Sequence, residues 1–483
     1  MHKRLVFSTI SRMFLIVSLF LLAPLAWAWS DDPSSLEVRA FLLTIIVGLV
    51  ISFLSRRLFR FKKEEYQKLN AKDGLAIVGL SWIGLSFFGA LPLYFSGSVE
   101  GFTDAFFEAV SGFTTTGATI ITNVERLPRG VLFWRSLTQW LGGMGIIVLD
   151  LAVLPAYGQS SFRLFKAEFF GGTAERIQPS VKETAKIFGA VYCVLSLAEI
   201  GLLMLGRMSF FDALCHTFGT VATGAFSTRN AGIGAFGSYV QWVILVFMFL
   251  AGTNFMLHFC AFRGEFKAYL KCEEFRVYAG VTLVAILTFV VLGFAGGAAY
   301  PVRDTVFQVV SLLTTTGFTT ADFDRWPVFV KFSLLLLMFF GACSGSMGGG
   351  FKMGRVVLAA KMAWGSLTQA LFPNAVLPVK IDGKPVLPHL TSGILAHFFI
   401  FVFLFFLGGL MLTITDQCDL ETAFSASLSS LSNVGPGLAK VGAAHNYAWI
   451  SVPGKWMLML LMLAGRLELY SILILLVPAA WRK

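Results

Sequence analysis

Apolar stretches long enough to cross a lipid bilayer recur from one end of this chain to the other, and no other feature restricts its fold as much. A hydrocarbon core of roughly 30 Å takes about 20 helical residues to span. Runs of that order lie near residues 13–29, 37–55, 73–95, 132–156, 185–206, 239–262, 276–297, 328–365, 391–414 and 454–479, the one at 328–365 being interrupted. Backbone groups in lipid must be satisfied within the structure itself, which leaves helices or a closed barrel. Runs this long choose helices. Only 13% of the 483 residues are charged and 56% are hydrophobic, where soluble domains carry roughly 25% charge. The expectation is an all-α integral membrane protein.

The formal charge is +11, and its placement excludes a nucleic-acid explanation. Basic residues gather on alternate loops: Arg56, Arg57, Arg60, Lys62, Lys63, Lys68 and Lys72; then Arg163, Lys166, Arg176, Lys182 and Lys186; then Arg263, Lys267, Lys271 and Arg276; then Lys352 to Lys384; then Arg482 and Lys483. With Lys3, Arg4 and Arg12 they form the bias that marks cytoplasmic loops, which puts both termini in the cytoplasm. Cys193, Cys215, Cys260, Cys272, Cys343 and Cys418 show no metal-ligand spacing, and packing is their expected role. The six histidines form no H-x-x-x-H pair, and no G-x-S-x-G occurs. Little speaks for a membrane enzyme.

Four polar loops interrupt the apolar pattern. DAFFEAVSGFTTTG starts at Asp104, DALCHTFGTVATGA at Asp212, DTVFQVVSLLTTTG at Asp304 and TAFSASLSSLSNVG at Thr422, each between two long apolar spans. Gly117, Gly317 and Gly435 fall at the same interval from their starting residue, whereas in the second loop that interval lands on Ala225, with Gly224 one place earlier. Internal repetition of this kind signals one unit used four times. About ten helical residues rise only about 15 Å, so each short segment dips into the bilayer and returns. Asp104, Asp212 and Asp304 suit the N-terminal ends of such half-helices, where a carboxylate caps free N–H groups and meets the positive end of the dipole.

Non-helical backbone at that depth is tolerated only when it is buried in protein or lines water. Four loops converging on one axis would present carbonyl oxygens, backed by threonine hydroxyls and by the negative ends of four half-helix dipoles, to a dehydrated cation. Glycines serve that purpose because they reach backbone angles closed to residues with a β-carbon. Whether the second quarter slips by one residue or uses alanine stays open at this point.

TTTGAT, GAFST, TTGFTT and NVGPG, each after a half-helix, together with GACSGSMGGGFK and GRLE, resemble the Trk/Ktr/HKT superfamily of potassium transporters, and within it the bacterial TrkH and TrkG subunits. The resemblance covers the chain from about residue 73. It implies a helix pair over residues 1–72 and four membrane–pore-loop–membrane units at 73–156, 157–262, 263–366 and 367–483. It implies potassium uptake across a bacterial inner membrane, a homodimer with one pore per protomer, and a cytoplasmic TrkA-type regulatory ring that binds NAD or ATP. No organic cofactor is expected in the chain. It also favours an uncleaved first helix over a signal peptide cut after Ala26-Trp27-Ala28.

The filter residues carried over by resemblance are Thr115, Thr116 and Gly117; Ala222, Thr223 and Gly224; Thr315, Thr316 and Gly317; and Asn433, Val434 and Gly435. A sodium-conducting relative shares the architecture. Gly117 tilts this chain to potassium, because serine there favours sodium in plant relatives.

The interruption after residue 340 is GACSGSMGGG, which a continuous helix does not accommodate, each interior glycine costing roughly 1 kcal/mol. The resemblance identifies Gly341, Ala342, Cys343, Ser344, Gly345 and Ser346, with Gly348, Gly349, Gly350 and Lys352, as an intramembrane gate spanning about 341–351. Arg466 stands amid an apolar run, where ionisable residues usually serve function. It follows Gly465 as Gly143, Thr253 and Ala342 follow Gly142, Gly252 and Gly341, so three small residues and one arginine are expected to face one space below the loops, with Arg466 as a positive barrier. Glu468 lies about 200° around a helix from it, which speaks against a direct bridge between the two.

Overall fold

In the computed structural model, residues 3–58, 71–153, 181–295, 301–374, 378–386 and 388–481 are described. Among the basic residues named above, Arg60, Lys62, Lys63, Lys68, Arg163, Lys166, Arg176, Arg482 and Lys483 lie outside them. Helices α1 (Lys3–Phe20), α2 (Leu22–Asp31) and α3 (Leu36–Leu58) precede the repeated part. They pack on each other and against α4 and α6 of the first unit.

Each of the four units has a long helix, a half-helix and a second helix. The first comprises α4 (Ala71–Phe95), α5 (Phe102–Phe113) and α6 (Arg129–Val153); the second α7 (Val181–Leu205), α8 (Phe210–Val221), α9 (Ser238–Ala251) and α10 (Phe255–Phe262). A short helix, α11 (Lys267–Lys271), leads to the third: α12 (Glu273–Ala295), α13 (Val302–Leu313), α14 (Val328–Phe340) and α15 (Met353–Leu371). After a two-stranded hairpin (β1 Lys380–Ile381, β2 Lys384–Pro385) come α16 (Pro388–Thr415), α17 (Leu420–Ser432), α18 (Val452–Arg466), α19 (Tyr470–Leu476) and α20 (Pro478–Trp481). Six helices among the described residues are long and apolar enough to span a membrane.

Half-helices α5, α8, α13 and α17 each lie on the long helix of their own unit. The second helices close a circle: α6 packs on α8, α9 on α13, α14 on α17, and α18 returns to α5. Four pseudo-symmetric units therefore surround a central axis. The half-helices contribute the inner wall, with Phe107, Val110, Phe307, Val309, Ala423 and Ala426 buried among their neighbours.

Three expectations are corrected here. The runs at 239–262 and 454–479 are not single helices: α9 and α10 meet at 102° across Gly252–Asn254, and α18 and α19 are separated by Leu467–Leu469, where Glu468 and Leu469 both have φ of 57°. Asn254 caps α10 by accepting from the Met256 amide, which compensates an amide freed by the bend. The break in the third unit is thus one of three. The aspartates, finally, are not the caps of their half-helices. Gly101, Ser209, Pro301 and Asp419 hold that position, and Asp104, Asp212 and Asp304 sit in the first turn, still close to the positive dipole end.

Candidate functional site

All four half-helices end in the same way, and the ending fixes the register of the loops. Thr115, Thr223, Thr315 and Asn433 have left-handed φ of 52°, 56°, 57° and 56°. Each lies fourteen residues after its cap (101 to 115, 209 to 223, 301 to 315, 419 to 433). Their amides donate to Gly112, Thr220, Leu312 and Ser430, and the next amides, of Thr116, Gly224, Thr316 and Val434, donate to Ser111, Gly219, Ser311 and Ser429. This paired 5→2 and 6→1 pattern is a Schellman ending, usually built on glycine. Here it is built on threonine three times and asparagine once, although a left-handed conformation costs a residue with a β-carbon roughly 1–2 kcal/mol.

Two residues further on, Gly117, Ala225, Gly317 and Gly435 are left-handed again, at 81°, 63°, 84° and 103°. The residues between keep negative φ, so handedness alternates along each loop. Alternation turns successive peptide planes the same way, unlike a strand, and lets neighbouring carbonyls share one side. The second quarter therefore runs Thr223, Gly224, Ala225, and the expected triplet Ala222–Thr223–Gly224 is one residue early. Ala222 is the C-terminal cap of α8, as Thr114 is of α5; the ungapped interval from Asp212 holds, and the loop uses alanine.

The loops meet. A β-carbon on Gly117 would collide with the Gly224 carbonyl, one on Gly317 with the Val434 carbonyl, and one on Gly435 would lie 2.6 Å from the Thr116 carbonyl. Gly117, Ala225, Gly317 and Gly435 line a single cavity of about 160 Å³ on the side of the half-helix N-termini.

Directly behind the loops, Gly142 on α6 rests against the Phe113 carbonyl and Gly465 on α18 against the Leu431 carbonyl, equivalent positions in their units. That close approach is why glycine recurs there. On the far side, residues 341–352 cross beneath the ring. The Met347 carbonyl accepts from Thr223 Oγ1 at 3.0 Å and from Arg466 Nη1 at 2.7 Å. The Gly349 amide donates to Thr315 Oγ1 at 2.6 Å, and Lys352 Nζ donates to the Gly348 carbonyl at 2.5 Å. The segment is tied sideways as well, with the Cys343 and Met347 amides donating to the Gly252 and Ala251 carbonyls. Two of the three strained threonines, Thr223 and Thr315, thus aim their hydroxyls at this segment, a role glycine could not fill.

Arg466 is 5% exposed. Of the positions expected to share its space, Ala342 belongs to the crossing segment, Gly143 packs on Ala222 and Tyr192, and Thr253 donates back to the Phe249 carbonyl. Residues 341–352 come between Arg466 and the loops, the Met347 carbonyl bonding both Arg466 and Thr223. Glu468 pairs with Arg355 at 2.6 Å, not with Arg466.

The sequence reading missed a second set of polar groups behind the loops. Glu108 on α5 and Arg135 on α6 form a buried pair at 2.7 Å, and Glu108 also accepts from Thr119 Oγ1 and the Ile120 amide. Gln139 on α6 donates to the Gly224 carbonyl and accepts from the Phe226 amide. A signal existed: Arg135 and Gln139 are polar residues four apart in an apolar span.

A model of the TrkH family, described as a cation transport protein, matches residues 41–483. The chain belongs to this family. It is 36% identical over 493 residues, covering 100% of both chains, to the Trk system potassium uptake protein TrkH of Salmonella typhimurium. It is 38% identical over 453 residues, 92% of both, to the protein of the same name in Escherichia coli K12. The crystal structure of the potassium transporter TrkH from Vibrio parahaemolyticus superposes with a TM-score of 0.89 at 34% identity over 100% of both chains. As a TrkH-family member this chain falls within the Trk/Ktr/HKT superfamily and is a multi-pass membrane transport protein rather than an enzyme.

Proposed function

We propose that this chain carries potassium inward across a bacterial inner membrane through the ring formed by its four loops. The observation that carries the reading is the fourfold Schellman ending followed by alternating handedness, with all four left-handed positions lining one cavity. The ring residues are then Thr115 to Gly117, Thr223 to Ala225, Thr315 to Gly317 and Asn433 to Gly435. Potassium is the cargo, held by backbone carbonyls in place of the water it sheds. The relatives named above as potassium uptake proteins support the choice of ion.

Residues 341–352 form the gate in this reading, and Arg466 holds the gate shut while adding a positive barrier. The units follow the boundaries 73–156, 157–262, 263–366 and 367–483. Both termini face the cytoplasm, the protomer pairs as a homodimer, and a TrkA-type nucleotide-binding ring docks on the basic cytoplasmic side.

The test is Rb⁺ and Na⁺ flux into liposomes holding the purified chain, with and without such a ring subunit. Rb⁺ flux exceeding Na⁺ flux, and responding to the ring, is the expected result. Equal fluxes would favour a sodium-conducting member of the same architecture.

A further inference from the structure

We propose that Gln139 is a specificity-positioning residue of the ring, its amide holding Ala225 in the left-handed conformation that the other three quarters give to glycine. The inference rests on reading the four loops as the selectivity filter.

Ala225 has φ of 63° where Gly117, Gly317 and Gly435 have 81°, 84° and 103°. Its β-carbon makes that conformation unfavourable. Left alone, the second loop gains by turning the peptide between residues 224 and 225, and such a turn moves the Gly224 carbonyl out of the ring. Gln139 opposes the turn. It is completely buried, its Nε2 donates to the Gly224 carbonyl, and its Oε1 accepts from the Phe226 amide at 3.1 Å. Those are the backbone groups on either side of Ala225. One rigid planar amide therefore fixes both peptide planes that flank the strained residue, and the Gly224 oxygen keeps a second lone pair for an ion.

Two further features agree. Gly224 does not have positive φ, so backbone freedom does not explain it. A β-carbon there would lie 2.6 Å from Gln139 Cδ, so the glycine makes room for the amide. Arg135, one turn earlier on α6 and on the same face, is anchored by Glu108 and has its guanidinium 4.2 Å from the Phe226 ring centroid. The residue at the end of the clamp is thus held from behind.

Among the described residues, the other units carry no amide at the equivalent position. Three residues before Gly252, Gly341 and Gly465 stand Phe249, Met338 and Met462, where α6 has Gln139 three before Gly142. The second helices of units two, three and four lie on half-helices α13, α17 and α5, whose loops have glycine at the left-handed position. At this helix position the amide stands opposite the loop that has alanine, and apolar residues stand opposite the three that have glycine.

The experiment is a double-mutant cycle on the full chain in liposomes, reading the Rb⁺/Na⁺ permeability ratio for wild type, Gln139→Met, Ala225→Gly and both together. Methionine is the residue two other units use at this position. Gln139→Met is expected to lower the ratio by roughly fivefold, the effect of losing one buried hydrogen bond. In the Ala225→Gly background the same change should cost less than about twofold. A Gln139→Met ratio equal to wild type overturns the proposal, as does an undiminished loss in the glycine background, which would make the amide mere packing. Should the methionine variant not fold, Gln139→Leu removes the amide at nearly constant volume without adding a charge and is held to the same outcomes. A wild type without Rb⁺ preference fails one step earlier, overturning the potassium-selective reading and this inference with it.

Discussion

A threonine forced into left-handed backbone is a poor helix terminator, and this chain uses three, at Thr115, Thr223 and Thr315. Strain of this kind persists where the surroundings hold it in place and where it serves a site. Two of the three hydroxyls bond the segment beneath the ring, so the strain places a polar handle where glycine offers none. Two residues later the demand reverses. At Gly317 the backbone is left-handed and a β-carbon would overlap the Val434 carbonyl, so any side chain must push the third and fourth loops apart. Gly317→Ser is therefore expected to leave the protein folded but to lower the Rb⁺/Na⁺ permeability ratio by about tenfold or more, on the order of 1–2 kcal/mol of strain thrown onto the ring. Tracer flux in liposomes measures it, and an unchanged ratio would remove Gly317 from the ring. Gly117→Ser should behave alike, because its β-carbon meets the Gly224 carbonyl.

At the scale of elements, the second helices matter most, because three of the four are broken where they pass beneath the ring. The break in the third unit was legible in its glycine and serine content. The breaks at Gly252–Asn254 and Leu467–Leu469 were not, for different reasons. The first hides in an apolar run whose one clue is Asn254 as a cap; the second has no glycine, and Glu468 and Leu469 take positive φ against their own preference. The half-helices and their common interval were readable throughout, since repetition outweighs local propensity, but the register of the second loop needed backbone angles. What the breaks do follows from Arg466, which ends α18 and donates to the Met347 carbonyl of the crossing segment. A charge-assisted bond of this kind contributes about 1.5–3 kcal/mol. Arg466→Ala is expected to raise Rb⁺ flux by about tenfold or more while the protein still elutes as a folded species. Flux at or below the wild-type rate in such a protein would assign the arginine a structural role.

The whole molecule is a circle closed by its own chain, so the contact between the last unit and the first has no covalent continuity to support it. Three observations mark that seam. Asn433 donates to Thr116 Oγ1 at 3.0 Å, the Tyr447 amide donates to the Thr119 carbonyl at 2.8 Å, and Lys455 on α18 pairs with Asp104 on α5 at 2.7 Å. The Lys455 side chain is 7% exposed and that of Asp104 33%. Removing the aspartate leaves a nearly buried ammonium without its carboxylate, which is the costly way to break a pair; removing the lysine leaves a carboxylate that retains some water and the helix dipole of α5. The two single substitutions should therefore be unequal. Asp104→Asn is expected to cost about 2–3 kcal/mol and Lys455→Met about 1 kcal/mol, the smaller figure reflecting the exposed carboxylate. The double variant should lie close to Lys455→Met alone, since both charges are then gone. Thermal unfolding in detergent measures all three. Because the seam also holds Gly435 against the Thr116 carbonyl, the less stable single variant should show the lower Rb⁺/Na⁺ ratio as well. Equal stabilities with equal ratios would mean that the pair is an incidental surface contact and that loop packing alone closes the circle.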